Sequence, residues 1–312
     1  MVSAARAAEG NDTASGARAY VIVDAATGHI LAGKDADAKL QVASLTKVAT
    51  AAVVLDWAES GGRHGALETL VPVPASALAG GVQNPVGWQA EDQATLRDLL
   101  YAALLQSDNI AADTLAAFVG AQISGEGGGG AAVAAMTPTV RFVAQMNALA
   151  RSLGMERTRF LNPTGIDAQE RPYSTAADLA RLMRYALNKA SFKFFVAQKE
   201  RTIAILRGGQ PVGGGYRLRN TNELLGVKNV DGGKTGQTTR AGNCLIVTAA
   251  REPLVKQTSD TSTEVTQRRL IVVVLGAADR FREASALLDR GTALYDAWAA
   301  AGRPEGGSKE RL

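Results

Sequence analysis

The spacing of apolar positions changes along the chain and marks out its elements. Tyr20-Val21-Ile22-Val23 is a short β-branched run. The turn pair Thr27-Gly28 and then His29-Ile30-Leu31 follow it, a pattern that predicts a hairpin. From Ser44 to Trp57 the chain is rich in Ala, Val and Leu and free of Gly and Pro, which predicts a buried helix. Thr95 to Leu105 predicts another, with Thr95 as its N-cap and Asp98 in the first turn. A helix resumes after Ser107-Asp108-Asn109 and runs through Phe118, and two more are predicted at about 139–153 and 175–190. In the last third Glu200–Leu206, Val230–Thr238, Cys244–Ala250 and Leu270–Gly276 are strand-like, and Phe281–Ala301 is an amphipathic helix. The polar stretch Glu252–Gln267 predicts a long hairpin loop.

Strands at both ends therefore bracket a helical middle. The layout predicts an α/β (α+β) chain: an antiparallel β-sheet flanked by helices, plus an all-helical lobe. The Gly-rich stretch 123–135 predicts a flexible loop insertion. It lacks the Lys-Ser/Thr that a phosphate cradle requires. Residues 1–17 and 303–312 are expected to be flexible tails around one domain spanning 18–302.

Composition narrows the function. At 312 residues the chain is long enough to bury a sizeable core. A net charge of +4 comes without a concentrated Lys/Arg tract, which argues against nucleic-acid binding. The single cysteine, Cys244, excludes an internal disulfide and is expected as a small buried strand residue. Only two histidines exist, His29 and His64, and neither adjoins a candidate nucleophile. No apolar run approaches the length of a membrane helix. Met1 to Gly16 lacks the apolar centre of a secretory signal, so the sequence itself shows neither export nor membrane association.

Three short strings carry the chemistry: Ser44-Leu45-Thr46-Lys47, Ser107-Asp108-Asn109 and Lys234-Thr235-Gly236. On a helix, S-x-x-K puts Ser44 and Lys47 on one face, one turn apart. A hydroxyl is a poor nucleophile until a base removes its proton. Lysine serves as that base only when neutral near pH 7, which requires its pKa to fall by roughly three units, about 4 kcal/mol. A second cation at roughly 4 Å, in an effective dielectric near 20, is worth about the same. Lys234 is the candidate for that cation, staying charged and attracting a substrate carboxylate. Ser107 can relay a proton to a leaving amine, and Asn109 can orient Lys47 or a substrate amide. Thr235 can donate to a carboxylate, Gly236 lets an edge strand approach the substrate backbone, and the N–H groups of Ser44 and Gln237 would form an oxyanion hole. S-x-x-K alone arises by chance about once in a chain of this size, whereas all three strings in order do not. No metal or organic cofactor is needed, because every reactive group is protein-borne.

With these motifs the chain resembles the low-molecular-mass penicillin-binding proteins, specifically serine-type D-Ala-D-Ala carboxypeptidases. Further segments carry the resemblance: Phe160-Leu161-Asn162-Pro163-Thr164-Gly165, Tyr173-Ser174-Thr175-Ala176-Ala177-Asp178-Leu179-Ala180, Asn220-Thr221-Asn222-Glu223-Leu224-Leu225 and Val230-Asp231-Gly232-Gly233. It implies a β-lactamase/transpeptidase-like fold and removal of the terminal D-Ala from peptidoglycan stem peptides through an acyl-enzyme on Ser44. It also implies β-lactam antibiotics as inhibitors, and a periplasmic or cell-surface location. Thr235, Gly236, Gln237 and Thr238 are implied as substrate-binding, and Arg282 resembles the family's carboxylate-contacting arginine. The middle motif reads S-D-N where this family more often has S-G-N. Because S-D-N is shared with class A β-lactamases, a β-lactamase stays open as an alternative, as do a D,D-endopeptidase and a non-catalytic penicillin-binding sensor. The glutamate setting E-x-x-L-N of those β-lactamases is absent, and Asp108 reads equally as a helix-start residue.

Overall fold

A computed structural model of the protein describes residues 15–79, 81–123, 136–259, 262–304 and 311–312. The expected Gly-rich insertion lies, apart from Ile123, outside the described residues. In chain order the first elements are β1 (Ala19–Asp24), β2 (Ile30–Lys34), a 3-10 turn (Ala43–Thr46), α1 (Lys47–Glu59), β3 (Leu70–Pro72), β4 (Gln93–Thr95), α2 (Leu96–Leu105) and α3 (Asn109–Ile123). Next come α4 (Pro138–Ser152), α5 (Ala176–Leu187), α6 (Ala190–Val196), β5 (Glu200–Ile203), β6 (Leu206–Arg207), β7 (Gln210–Pro211) and β8 (Tyr216–Arg219). β9 (Val230–Thr238), β10 (Gly242–Ser259), β11 (Ser262–Ala277) and α7 (Arg280–Ala300) complete the order.

The main sheet is antiparallel, with strand order β2-β1-β11-β10-β9. Side chains alternate across it, so each strand feeds two cores. Val21, Val23, Ile271 and Val273 join the core shared with the helical lobe. Tyr20, Ile22, Val272 and Val274 pack beneath Leu287 and Leu288 of α7. Each fully buried Val or Ile contributes roughly 1.5–3 kcal/mol, which fixes the register of β1 against β11. α1 is buried along most of its length and runs through the centre of the lobe, as expected of a helix apolar on every face. Short sheets β3-β4-β6-β7 and β5-β8 flank α2. Edge strand β9 packs against the 3-10 turn, where sheet and lobe meet.

Thr95 and Thr175 cap α2 and α5 by accepting from the N–H groups of Asp98 and Asp178. Four expectations need correction. Glu252–Gln267 is not a loop: β10 and β11 continue as a paired ribbon, with Leu254 opposite Thr266 and Val255 opposite Val265. Its polar, β-branched residues carry no one-sided apolar pattern because the ribbon extends past the core. Glu200–Leu206 is two strands, broken where the Ala204 N–H turns to the Asp98 carboxylate. Residues 15–17, expected in the flexible N-terminal tail, pack onto the fold: Ser15 and Ala17 are buried, and Lys34 donates to both their carbonyls. Arg311 and Leu312, expected in a free tail, lie against the β1–β2 turn, where the Leu312 N–H donates to the Gly28 carbonyl.

Candidate active site

The first motif does not lie on one continuous α-helix. Ser44 sits in the 3-10 turn and Lys47 opens α1. Ala43, immediately before Ser44, has φ of 50°, a left-handed conformation that costs a non-glycine residue about 1–2 kcal/mol and stops the helix from extending backward. Two glycines allow the turn to be enclosed. A Cβ on Gly165 would fall 1.9 Å from the Ala43 carbonyl oxygen, and one on Gly236 would fall 3.1 Å from the Ser44 nitrogen. The 162–165 turn and strand β9 thus press on the Ser44 backbone from two sides.

Lys47 Nζ lies 3.0 Å from Ser44 Oγ, 2.7 Å from Asn109 Oδ1 and 2.8 Å from the Thr164 carbonyl. The last two partners can only accept. A neutral amine has two N–H bonds for them and one lone pair, which is left for the Ser44 hydroxyl proton. The side chain is fully buried, and that burial lowers its pKa to about 7 against the upward pull of the Asp108 and Asp113 carboxylates. The three contacts thus match the form of lysine able to remove a proton.

Lys234 was expected to stay charged and to lead this shift, with burial adding to it. The order is reversed. Burial leads for Lys47, and Lys234 is itself pushed well below the usual lysine range, first by burial and then by Lys47 and Arg280. Its Nζ donates to the Thr235 carbonyl at 2.9 Å. An arriving anion would favour its charged form.

The second motif meets Lys47 from the lobe side. Ser107 has φ of 63°, at the left-handed position just after α2 where glycine is usual. Asp108 begins α3: it is 3% exposed, and its Oδ1 accepts from the Ala111 N–H at 2.7 Å. Burial raises its pKa, although Ala111, Lys47 and the Trp88 indole pull the other way. Asp113, further along α3, is raised to about 6, also by burial. Asn109 spends its oxygen on Lys47, which leaves its NH2 end available.

Ser44, Lys47, Asn109 and Thr164 are therefore in direct contact, and Gly236 brings the Lys234-Thr235-Gly236 strand against the Ser44 turn. Gln237 is exposed just beyond it. The Thr238 hydroxyl is committed to Asp167, at 3.0 Å. Arg282 is not brought in: it is exposed, and its backbone N–H belongs to the Asp279 cap of α7. Arg280, two residues earlier, is the arginine that reaches strand β9 instead. Its Nη1 donates to the Gly236 carbonyl at 3.0 Å, and its charge bears on Lys234. Sequence reasoning also missed Thr164, which acts through its carbonyl, and Thr221, whose hydroxyl lies 2.6 Å from that of Thr235. The buried Cys244 agrees with expectation. No helix among the described residues is long and apolar enough to cross a membrane.

Comparison with known proteins bears on this arrangement. The profile of the serine peptidase family described as D-alanyl-D-alanine carboxypeptidase matches residues 4–279. A D-alanyl-D-alanine endopeptidase of Pseudomonas aeruginosa is 33% identical over 240 residues, covering 75% of this chain and 68% of its own. The D-alanyl-D-alanine carboxypeptidase DacC of Escherichia coli is 32% identical over 293 residues, covering 90% of this chain and 62% of its own. The chain thus spans about two thirds of the length of these relatives. Among solved structures, the Streptomyces K15 DD-transpeptidase superposes with a TM-score of 0.71 at 26% identity, covering 89% of this chain and 98% of that one. A D-alanyl-D-alanine carboxypeptidase from Mycobacterium tuberculosis superposes with a TM-score of 0.69 at 28% identity, covering 89% and 92%.

Proposed function

The chain belongs to the D-alanyl-D-alanine carboxypeptidase family, and from that premise we propose that it is a serine D,D-carboxypeptidase acting on peptidoglycan stem peptides. The observation that carries the reading is the buried lysine amine held against Ser44 by two pure acceptors. Lys47 takes the Ser44 proton as Oγ bonds to the carbonyl carbon of the D-Ala-D-Ala amide. The oxyanion that forms is held by the N–H groups of Ser44 and Gln237. Ser107 passes a proton to the leaving nitrogen, D-alanine departs, and water hydrolyses the ester on Ser44. Lys234, Thr235 and Arg280 receive the terminal carboxylate, an anion that favours the charged form of Lys234. The Asn109 NH2 group donates to a substrate carbonyl.

β-Lactam antibiotics acylate the same serine, and the place of action is the periplasm or cell surface, where peptidoglycan lies. Intact-mass spectrometry after exposure to benzylpenicillin tests the reading. The expected result is one adduct per chain, mapped to the peptide containing Ser44 and absent from Ser44→Ala. An adduct that persists in Ser44→Ala would refute the assignment of the nucleophile.

A further inference from the structure

The Thr221–Thr235 hydroxyl contact is the strongest feature that the mechanism above does not use. Thr221 follows β8, in the Asn220-Thr221-Asn222 turn. Its backbone N–H donates to the Leu105 carbonyl at 3.0 Å, and its hydroxyl lies 3.1 Å from the same oxygen. That hydroxyl is also 2.6 Å from Thr235 Oγ1. Leu105 ends α2, two residues before Ser107. Thr221 therefore bridges the end of α2 and the strand that carries Lys234. The turn itself is pinned: Asn220 Nδ2 donates to the Gln198 carbonyl, and Asn220 Oδ1 accepts from the Asn222 N–H.

We propose that Thr221 is a positioning residue that orients the Thr235 hydroxyl toward the carboxylate of a ligand; the proposal rests on the carboxypeptidase reading of the site. The two hydroxyls carry two protons, and that of Thr221 also faces a fixed acceptor, the Leu105 carbonyl. In the first arrangement Thr221 donates to Leu105 and Thr235 donates to Thr221. In the second, Thr221 turns its proton onto Thr235 Oγ1, which leaves the Thr235 proton free for an anion. The Leu105 carbonyl remains satisfied in both, because the Thr221 N–H stays on it. Changing from one to the other needs two O–H rotations and breaks no covalent bond. A carboxylate beside Lys234 and Arg280 selects the second arrangement, since a hydrogen bond to a charged acceptor is the stronger one. The effect is specific to ligands with a free carboxylate next to the reacting carbonyl group.

The test uses the full chain with Thr221→Val, which keeps the shape and removes the hydroxyl, and Thr221→Ser, which restores it. Second-order acylation is followed by mass spectrometry with benzylpenicillin, which carries a carboxylate, and with its methyl ester, which does not. Thr221→Val is expected to slow the carboxylate reaction about tenfold and the ester reaction less than twofold, with Thr221→Ser close to the parent on both. Equal losses on the two reagents, no loss on either, or failure of Thr221→Ser to restore the preference would overturn the proposal. If the parent reacts with benzylpenicillin but releases no D-alanine from a D-Ala-D-Ala peptide, the carboxypeptidase reading falls while the role of Thr221 is still scored. If benzylpenicillin does not acylate the parent at all, both fall.

Discussion

Replacing Asp108 with asparagine should make Lys47 easier to deprotonate, and the pH profile of acylation should show it. Asp108 is nearly fully buried, and its Oδ1 accepts the Ala111 N–H that starts α3. Asparagine is an equally good N-cap, so Asp108→Asn keeps the helix start and removes only the charge. Lys47 stands at about 7 because burial outweighs the upward pull of Asp108 and Asp113. A unit charge at roughly 8 Å, in an effective dielectric near 20, is worth about 2 kcal/mol, or some 1.5 pKa units. Asp108 is itself pushed toward its neutral form by burial, so the expected downward shift is nearer one unit. The sign follows directly, because removing a negative neighbour disfavours the protonated amine. At pH 6 about a tenth of the parent Lys47 is neutral, against about half in the variant, so acylation should be about fivefold faster. At pH 8 both are mostly neutral and the rates should converge. The assay is rapid-mixing acylation with a fluorescent penicillin between pH 5 and 9. An acid limb that moves to higher pH, or one that stays in place while the rate falls equally throughout, would refute the electrostatic reasoning.

Two further substitutions probe the site. Arg280→Leu should lower kcat/KM for a peptide with a free terminal carboxylate by roughly 10–100-fold, the worth of one hydrogen bond to a charged group, whereas Arg282→Leu should leave it within about twofold. Steady-state D-alanine release checks this, and the reverse order would restore Arg282 to the site. Gly165→Ala places a Cβ against the Ala43 carbonyl at a φ of 80°. It should cost on the order of 3 kcal/mol, lower Tm by roughly 6 °C or more and slow acylation; an unchanged melting curve would show that the turn yields without cost.

What the sequence made legible followed the physics of each signal. Strand β1 and the inner halves of β10 and β11 are apolar because both of their faces are covered, and those runs stood out. The β10–β11 ribbon was misread because its outer part leaves the core, so burial no longer writes a pattern on it. Capping by Thr95 and Thr175 is a local interaction and was visible for Thr95 from the sequence alone. The three motifs came out because each is contiguous. Arg280 was missed in favour of Arg282 because the choice depends on how α7 starts: the Asp279 cap sets the helix phase, and the phase sends Arg280 to Gly236 and Arg282 to solvent. Thr164 and Thr221 lie in segments that carry the family resemblance, but they act through a backbone carbonyl and a hydroxyl brought in from distant segments, so no role could be read for them. Burial was given second place to Lys234 as the cause of the Lys47 shift because its extent is a property of the fold, whereas a second lysine can be read directly.

In the proposed reaction Ser44, activated by Lys47, cleaves a D-Ala-D-Ala bond. Release of D-alanine from diacetyl-Lys-D-Ala-D-Ala tests it most directly, measured on the parent and on Ser44→Ala, with and without prior benzylpenicillin. Steady release by the parent, abolished both by the substitution and by the antibiotic, is the predicted result. Absence of release, with rapid turnover of the penicillin instead, would contradict it and make the protein a β-lactamase.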